Sequence, residues 1–412
     1  MSETAELLNK FDKLLEDNGP AAIVLTQWLR PVGDAVIFPP SYANPSQRKG
    51  DPPVYNIDRF GETSTIGKKF ERYKKSHIFV DVDRIEHGRQ HSVCVIDSIP
   101  SQANRIEPAL GRVVDQKGEA VKLVPRASVN ATIDKEPIEI DLLDVGHRGS
   151  DVLVRMSSKG SDLKHASTSR LRGDSVPLAK VAPTSLVFGM WDSRDTGVKI
   201  PRLLNSVIRA YDVLEYRRSS QFNPAIDFQK AGITRGSKDK ELSEVGMDSA
   251  PSVFQPGGVE ATGGIRRDAA INLCTLRDIS AKSKVSVELE NGCLKYEKLE
   301  TKKEQIEETR KLQRYILGLA LVAITYFDGK TLNLRQGCQL VNAADKPSGR
   351  VLVSFDGIEE PLSLERNQAI DYAAATAKAF GVGPDWGEVT FDVGMAKAAL
   401  KKSKKETEAE QT

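Results

Sequence analysis

The sequence predicts an α+β fold, and three observations carry that prediction. Short apolar runs of strand character, such as residues 22–29 (AIVLTQWL), recur along the chain among segments whose apolar residues follow helical spacing. The two kinds do not alternate in the steady rhythm of a parallel α/β sheet. Between them lie long stretches rich in Gly, Pro and charge, which in a compact domain are functional projections or disordered segments.

Taken in order, Leu7, Leu8, Phe11, Leu14 and Leu15 fall on one helical face, and "NGP" at 18–20 ends that helix. Residues 22–29 read as a strand, and 31–75 as a long loop or insertion. Strands are expected at 77–82 and 91–97, with a helix after the second. Residues 110–185 mix short strands, short helices and polar linkers. Strands follow at 185–191 and 206–216, then a Gly/Pro/Ser-rich segment at 222–268. A strand at 269–277, a hairpin around "ENGC" (290–293), the longest helix at 301–327, a strand at 349–355 and a helix at 363–380 complete the pattern. The tail "KKSKKETEAEQT" is a charge run expected to be disordered. No internal repeat is visible.

Apolar residues make up 39% of the 412 and charged residues 28%, enough for a sizeable core and too apolar for wholesale disorder. The net charge of +2 argues for no partner by itself, but its distribution is uneven. Residues 48–75 and 155–180 each carry +4, and residues 194–218 carry +3. Three basic stretches in a near-neutral chain fit one positive face, against the alternative of solvated charge scattered over the surface. Cys94, Cys274, Cys293 and Cys338 form no CxxC pair or regular framework, so reduced thiols are expected. The N-terminal segment is charged and amphipathic, unlike a signal peptide, and the apolar run 315–327 is too short to span a bilayer. A soluble, cytoplasmic protein is the expectation.

Three stretches could carry chemistry. In "DSIPSQANRIE" (97–107), Ser98 is a plausible N-cap and Pro100 suits a first turn. Early helical N–H groups lack internal partners and attract anions. Ser101, Gln102 and Asn104 add neutral donors there, and Arg105 adds a forked cation suited to phosphate. The plainer alternative is a capped helix with a polar outer face, broken at Pro108. In 184–222, Arg194 and Lys199 sit in a polar loop, Arg202 follows, and Arg209 and Tyr211 share one strand face. Cations interleaved with an aromatic suit RNA, since guanidinium groups take phosphates and rings stack bases; a merely polar sheet face is the alternative. In "GGVEATGGIRRD" (257–268), the glycines permit close backbone approach and Arg266 and Arg267 could take phosphates, unless the segment is a flexible linker. No GxxxxGK[ST] pattern supports a P-loop. His87, His91 and Cys94 have metal-like spacing, but His91 and Cys94 point to opposite faces if 91–96 is a strand. Asp81 and Asp83 read as a solvated strand face rather than a cation site.

Several segments together resemble one family. "FPPSYA" (38–43), "DSIPSQANRIEP" (97–108) and "SLVFGMWDSRDTGVKIPRLLNSVIRAYDV" (185–213) are similar to the backbone protein of type I-G (formerly I-U) CRISPR Cascade complexes, in the Cas-seven superfamily. "SSQFNPAIDF" (219–228), "GGVEATGGIRRDAAINLCTLR" (257–277) and "LGLALVAIT" (317–325) extend the likeness over most of residues 20–330. The resemblance implies a modified RNA-recognition-motif (ferredoxin-like) palm over residues 1–400, with a loop insertion at 31–75, fingers at 110–185 and a thumb at 222–268 or, alternatively, within 31–75. Residues 401–412 would be a charged tail. It implies a non-catalytic subunit without metal or cofactor, several copies of which coat one CRISPR RNA and present it to target DNA. Neighbouring copies, the large subunit and the fused guide-processing and capping subunit would be its partners, with no membrane involved. Ser101, Gln102, Asn104, Arg105, Arg194, Lys199, Arg202 and Arg209 would lie along the guide backbone, and Arg266 and Arg267 would take phosphates. Related subunits of other CRISPR types cut target RNA with a loop aspartate, so a metal-dependent ribonuclease using Asp192 or Asp195 is the competing expectation.

Overall fold

Burial alternates residue by residue along Ala22–Pro31, and this strand becomes the spine of a ten-stranded sheet. The computed structural model describes residues 3–33, 35–46, 51–60, 91–133, 136–233, 239–288 and 294–410. The sheet contains β1 (Ala22–Pro31), β2 (Val36–Ile37), β3 (Ile57–Phe60), β4 (His91–Asp97), β5 (Leu204–Phe222), β6 (Ala250–Asn272), β7 (Leu332–Arg335), β8 (Cys338–Asn342), β9 (Gly349–Val353) and β10 (Glu359–Pro361). Its main path runs β7-β8-β1-β6-β5-β4-β3, while β9 joins β1 to β10 and β2 pairs with β6. All of these pairings are antiparallel. The predicted α+β class is the one observed.

One face of the sheet is covered by helices. Leu7, Phe11, Leu14 and Leu15 are buried along α1 (Glu3–Asp12) and the 3-10 turn after it. Ser98 caps α2 (Ile99–Leu110), which contains Pro108 in its last turn and does not break there. Thr301 and Glu304 form a reciprocal capping box at the start of α3 (Lys302–Ile324), whose second half is buried. Helix α4 (Arg366–Phe380) packs against it. The two approach closely at Gly318, where a β-carbon would stand 2.9 Å from Ala373 Cα. Phe11 meets Tyr372 edge-on at 4.9 Å, tying α1 to α4.

Several expectations are corrected. The run at 185–191 is a short helix, Thr184–Phe188, followed by a two-residue strand at Met190–Trp191. A short, fully buried apolar run carries no periodicity that separates the two states. The segment 222–268 is irregular only in part, because Ala250–Asn272 is one strand of 23 residues, after which Leu273–Arg277 is helical. Its Pro and Gly residues are accommodated by register shifts between Tyr211 and Val213, Tyr216 and Arg217, and Arg218 and Ser220. Gly264, at φ +94°, lies under Trp28, 3.1 Å from where its β-carbon would be. Within 31–75, β2 and β3 join the main sheet. Within 110–185, strands Ala127–Ile133 and Glu136–Asp141 form a small sheet with Gly387–Thr390, so that layer borrows a strand from the far end of the chain. The tail is helical over Val393–Glu410. The strand expected at 77–82, with Asp81 and Asp83, and the "ENGC" turn with Cys293 lie outside the described residues. Cys94, Cys274 and Cys338 are free thiols. Among the described residues no helix is long and apolar enough to cross a membrane.

Candidate nucleic-acid interface

The predicted site residues fall in three places, and the first lies inside the fold. Asp97, fully buried at the end of β4, accepts from Gln102 Nε2 at 2.6 Å, Arg105 Nε at 3.0 Å and Arg335 Nη2 at 3.2 Å. Ser206 on β5 donates to Gln102 Oε1 at 2.9 Å and accepts from Arg267 Nε at 3.0 Å. Arg267 on β6 also donates to Gln27 Oε1 at 3.2 Å and to the Ile324 carbonyl at 3.3 Å. Gln27 on β1 donates to Asn342 on β8 at 2.8 Å. This hydrogen-bonded line crosses five adjacent strands between the sheet and its helices. The sequence reading placed Gln102 and Arg267 on the RNA; both are 0% exposed, with their donors used internally. Nothing in "IRRD" distinguishes its two arginines except strand alternation, which turns Arg267 inward and Arg266 outward. Burial lowers Arg267 to about 10, so it stays charged at neutral pH. Arg105 is half-buried, held by Asp97, and Arg335 beside it was missed because its segment carries no sequence signal.

On the helix-free face of the sheet, Trp28 on β1, Arg266 on β6 and Arg209 on β5 stand in cross-strand register. The Arg266 guanidinium lies 5.3 Å from the ring centroids of both Trp28 and Tyr211. Arg266 Nε is 2.8 Å from Asp268 Oδ1, Arg209 approaches the same carboxylate only to 4.0 Å, and Lys346 Nζ sits 4.2 Å from the Trp28 ring. Two cations thus share one carboxylate here, with Lys346 stacked over Trp28 beside them. The predicted pairing of Arg209 with Tyr211 on one face holds, and Trp28 and Lys346 are additions.

The third place is a cleft of about 760 Å³ beside Pro100, in the first turn of α2. Arg148, Arg155, Arg194, Lys199 and Arg202 line it, with Asp192 as its carboxylate and Trp191 at its edge. A β-carbon at Gly146, in the cleft wall, would sit 3.7 Å from the side-chain nitrogen of Asn104, which is exposed on α2. Ser101 is partly exposed, and its N–H is used by the Ser98 cap. Arg194, Lys199 and Arg202 are thereby brought together, but not with Arg209 or Arg266. Arg148 and Arg155 were missed as site residues; Arg155 opens the second of the basic stretches.

Arg148 is the most constrained of these side chains. Its φ is +53°, a left-handed conformation that disfavours any residue with a β-carbon. The side chain is 6% exposed, with Nε 2.6 Å from Glu107 Oε2 but off the hydrogen-bond direction. Nη1 donates to the Gly189 carbonyl at 3.4 Å, while buried Nη2 has no hydrogen-bond partner among the described residues. Arg202 Nη1 and Arg155 Nε are buried in the same condition. Gly189, at φ +79°, is required here, since a β-carbon would meet Arg202 Cγ at 2.8 Å. Burial, then the nearby Arg148 charge, hold Arg202 below its usual range, with Glu107 opposing. Two guanidinium groups therefore lean on one carboxylate, and the wall keeps a positive excess.

The acidic candidates are differently placed. Asp192 is 6% exposed and accepts from Thr196 N at 2.9 Å, Thr196 Oγ1 at 2.7 Å and Asp195 N at 3.2 Å. Burial pushes its carboxyl up, but these donors outweigh burial and leave it below the usual range. Asp195 pairs with Lys164 at 2.7 Å. His87 and the side chain of His91 lie outside the described residues.

Two predictions follow from these placements. Arg267→Ala leaves three acceptors in the core without their donor, and the expected loss is about 3–5 kcal/mol, read as a lower urea midpoint. Arg266→Ala, on the open face, should shift the midpoint little; equal losses would refute the inward–outward assignment. Burial pushes the Glu107 carboxyl up to about 7, with Arg148 pulling it back. The folded state therefore holds this proton to higher pH than the unfolded chain. Its stabilising contribution is full at low pH and is lost as pH rises through about 7. Between about pH 5 and about pH 8, Glu107→Gln should flatten the fall in thermal midpoint; an unchanged profile would show that Glu107 is ionised throughout.

Residues 23–215, which include α2 and the whole cleft lining, match the family model described as CRISPR-associated protein GSU0053. No curated protein matches the chain. Over just under half its length, the chain is thus similar to a CRISPR-associated protein family.

Proposed function

We propose that this chain is the guide-coating backbone subunit of a type I CRISPR interference complex. Several copies hold one CRISPR RNA by its sugar-phosphate chain and leave its bases open for target DNA. The observation that carries this reading is the cleft wall of Arg148, Arg155, Arg194, Lys199 and Arg202, which among the described residues has Asp192 as its one lining carboxylate. Such a wall suits phosphate, and phosphate contacts position a strand without reading its sequence. The match to a CRISPR-associated family over the same residues supports it.

Under this reading the ten-stranded sheet is the RRM-like palm, and the long hairpin of β5 and β6 with the segment at its tip is the thumb. Ser101 and Asn104 offer donors at the start of α2, and Arg105 and Arg335 flank them. Coating is favoured over metal-dependent cutting because both candidate aspartates are engaged, Asp192 by its own loop and Asp195 by Lys164. The large subunit and the guide-processing and capping subunit would be the other partners, in the cytoplasm.

Expressed with its operon partners, the chain should copurify with RNA of one uniform length. Arg105→Ala should weaken binding similarly for unrelated guide sequences and lower the salt slope by about one. A change in which guides are bound would refute backbone recognition, and regularly spaced cuts in complementary RNA with Mg²⁺ would replace coating by cleavage.

A further inference from the structure

The cleft holds more than a phosphate needs. Its volume of about 760 Å³ lies within the range of about 300–1,000 Å³ typical of pockets for whole organic ligands. Trp191 stands at its edge with 65% of its surface exposed, while Met190 before it is buried. Lys199 Nζ lies 5.7 Å from the indole centroid. The Trp191 backbone is fixed by antiparallel pairing with Lys199, so the ring is presented by paired strand rather than by a free loop. An exposed indole gains nothing from water, and in a cationic cleft it forms a platform on which any base can stack. Arg194 and Lys199, both exposed, line the same cleft and can take a phosphate. The carboxylate of Asp192 already accepts three hydrogen bonds from its own loop, so it is poorly placed to read the donor edge of a base.

We propose that this cleft takes one unpaired nucleotide of a nucleic-acid strand, its base stacked on Trp191 and its phosphate held by the exposed Arg194 and Lys199, without regard to base identity. The proposal rests on the reading of the chain as an RNA-binding subunit and adds to it a requirement for a base. A strand held by phosphate alone is indifferent to whether its bases are present or paired. A strand held here must leave one base free to enter, so duplex RNA of the same sequence binds less well.

The test uses the full chain with oligouridylate and oligoadenylate, a strand of abasic ribose-phosphate units of the same length, and the oligouridylate–oligoadenylate duplex. Trp191→Ala should weaken binding of both single strands about tenfold, with the salt slope unchanged. It should leave the abasic strand unaffected, and Trp191→Phe should restore most of the loss. Because the ring is largely exposed, an unchanged thermal midpoint is expected and separates loss of binding from loss of folding. Equal weakening of the abasic strand, or single-strand binding unchanged by Trp191→Ala, would overturn the nucleotide pocket and leave phosphate coating standing. A wild-type chain that binds neither single strand would overturn the coating function and the pocket together.

Discussion

A guanidinium with no exposure to water sits at the centre of this structure. Arg267 is held by Ser206, Gln27 and the end of α3, each supplied by a different element. A buried cation is tolerated only where its donors are met, and here the donors are met only if β5, β6, β1 and α3 all stand in one register. Slipping β6 by one residue would bring Arg266 inward and expose Arg267, abandoning the whole line at once. The fold therefore has a polar specification of register in addition to its apolar core.

That line ends at two partly exposed cations. Asp97 is buried, but the two arginines it holds are partly exposed, Arg105 on α2 and Arg335 on β7. One carboxylate orients two guanidinium groups, so positive charge remains after pairing. The core thus fixes the direction of surface cations near the start of α2. Gln102, read at first as a ligand for RNA, is better described as the link that ties α2 to Ser206 and Asp97.

The cleft follows the opposite logic. Its cations are not fully answered within the fold. Arg148 adopts an unfavourable backbone conformation, packs over the Phe188 ring and still leaves a nitrogen buried without a partner among the described residues. The left-handed backbone and the unmet donors both cost stability, and the fold carries them where its cations converge. Glycine at 189 is what allows Arg202 to enter this arrangement. On the helix-free sheet face Arg266 is likewise paired in charge with Asp268 and packed between two aromatic rings, while its buried Nε has no hydrogen-bond partner among the described residues.

Much was legible in the sequence. The α+β class, β1, the cap of α2, and the basic character of residues 155–180 and 194–218 all follow from local spacing and residue type. So did the cluster of Arg194, Lys199 and Arg202, because all three lie within nine residues of one loop and strand start. The rest required three dimensions. Arg266 and Arg267 are chemically identical neighbours, and only the pairing of β6 with β1 and β5 decides that one faces solvent and the other the core. Arg148 lies far along the chain from Arg194, Lys199 and Arg202, and Arg335 far from Arg105, and they meet only when separate elements pack together. Glycines and prolines marked 250–268 as a loop, yet a long partner strand with bulges holds that segment extended. Local sequence sets what each segment can do alone; burial and pairing decide which donors remain for a ligand, since both depend on residues that no local pattern brings together.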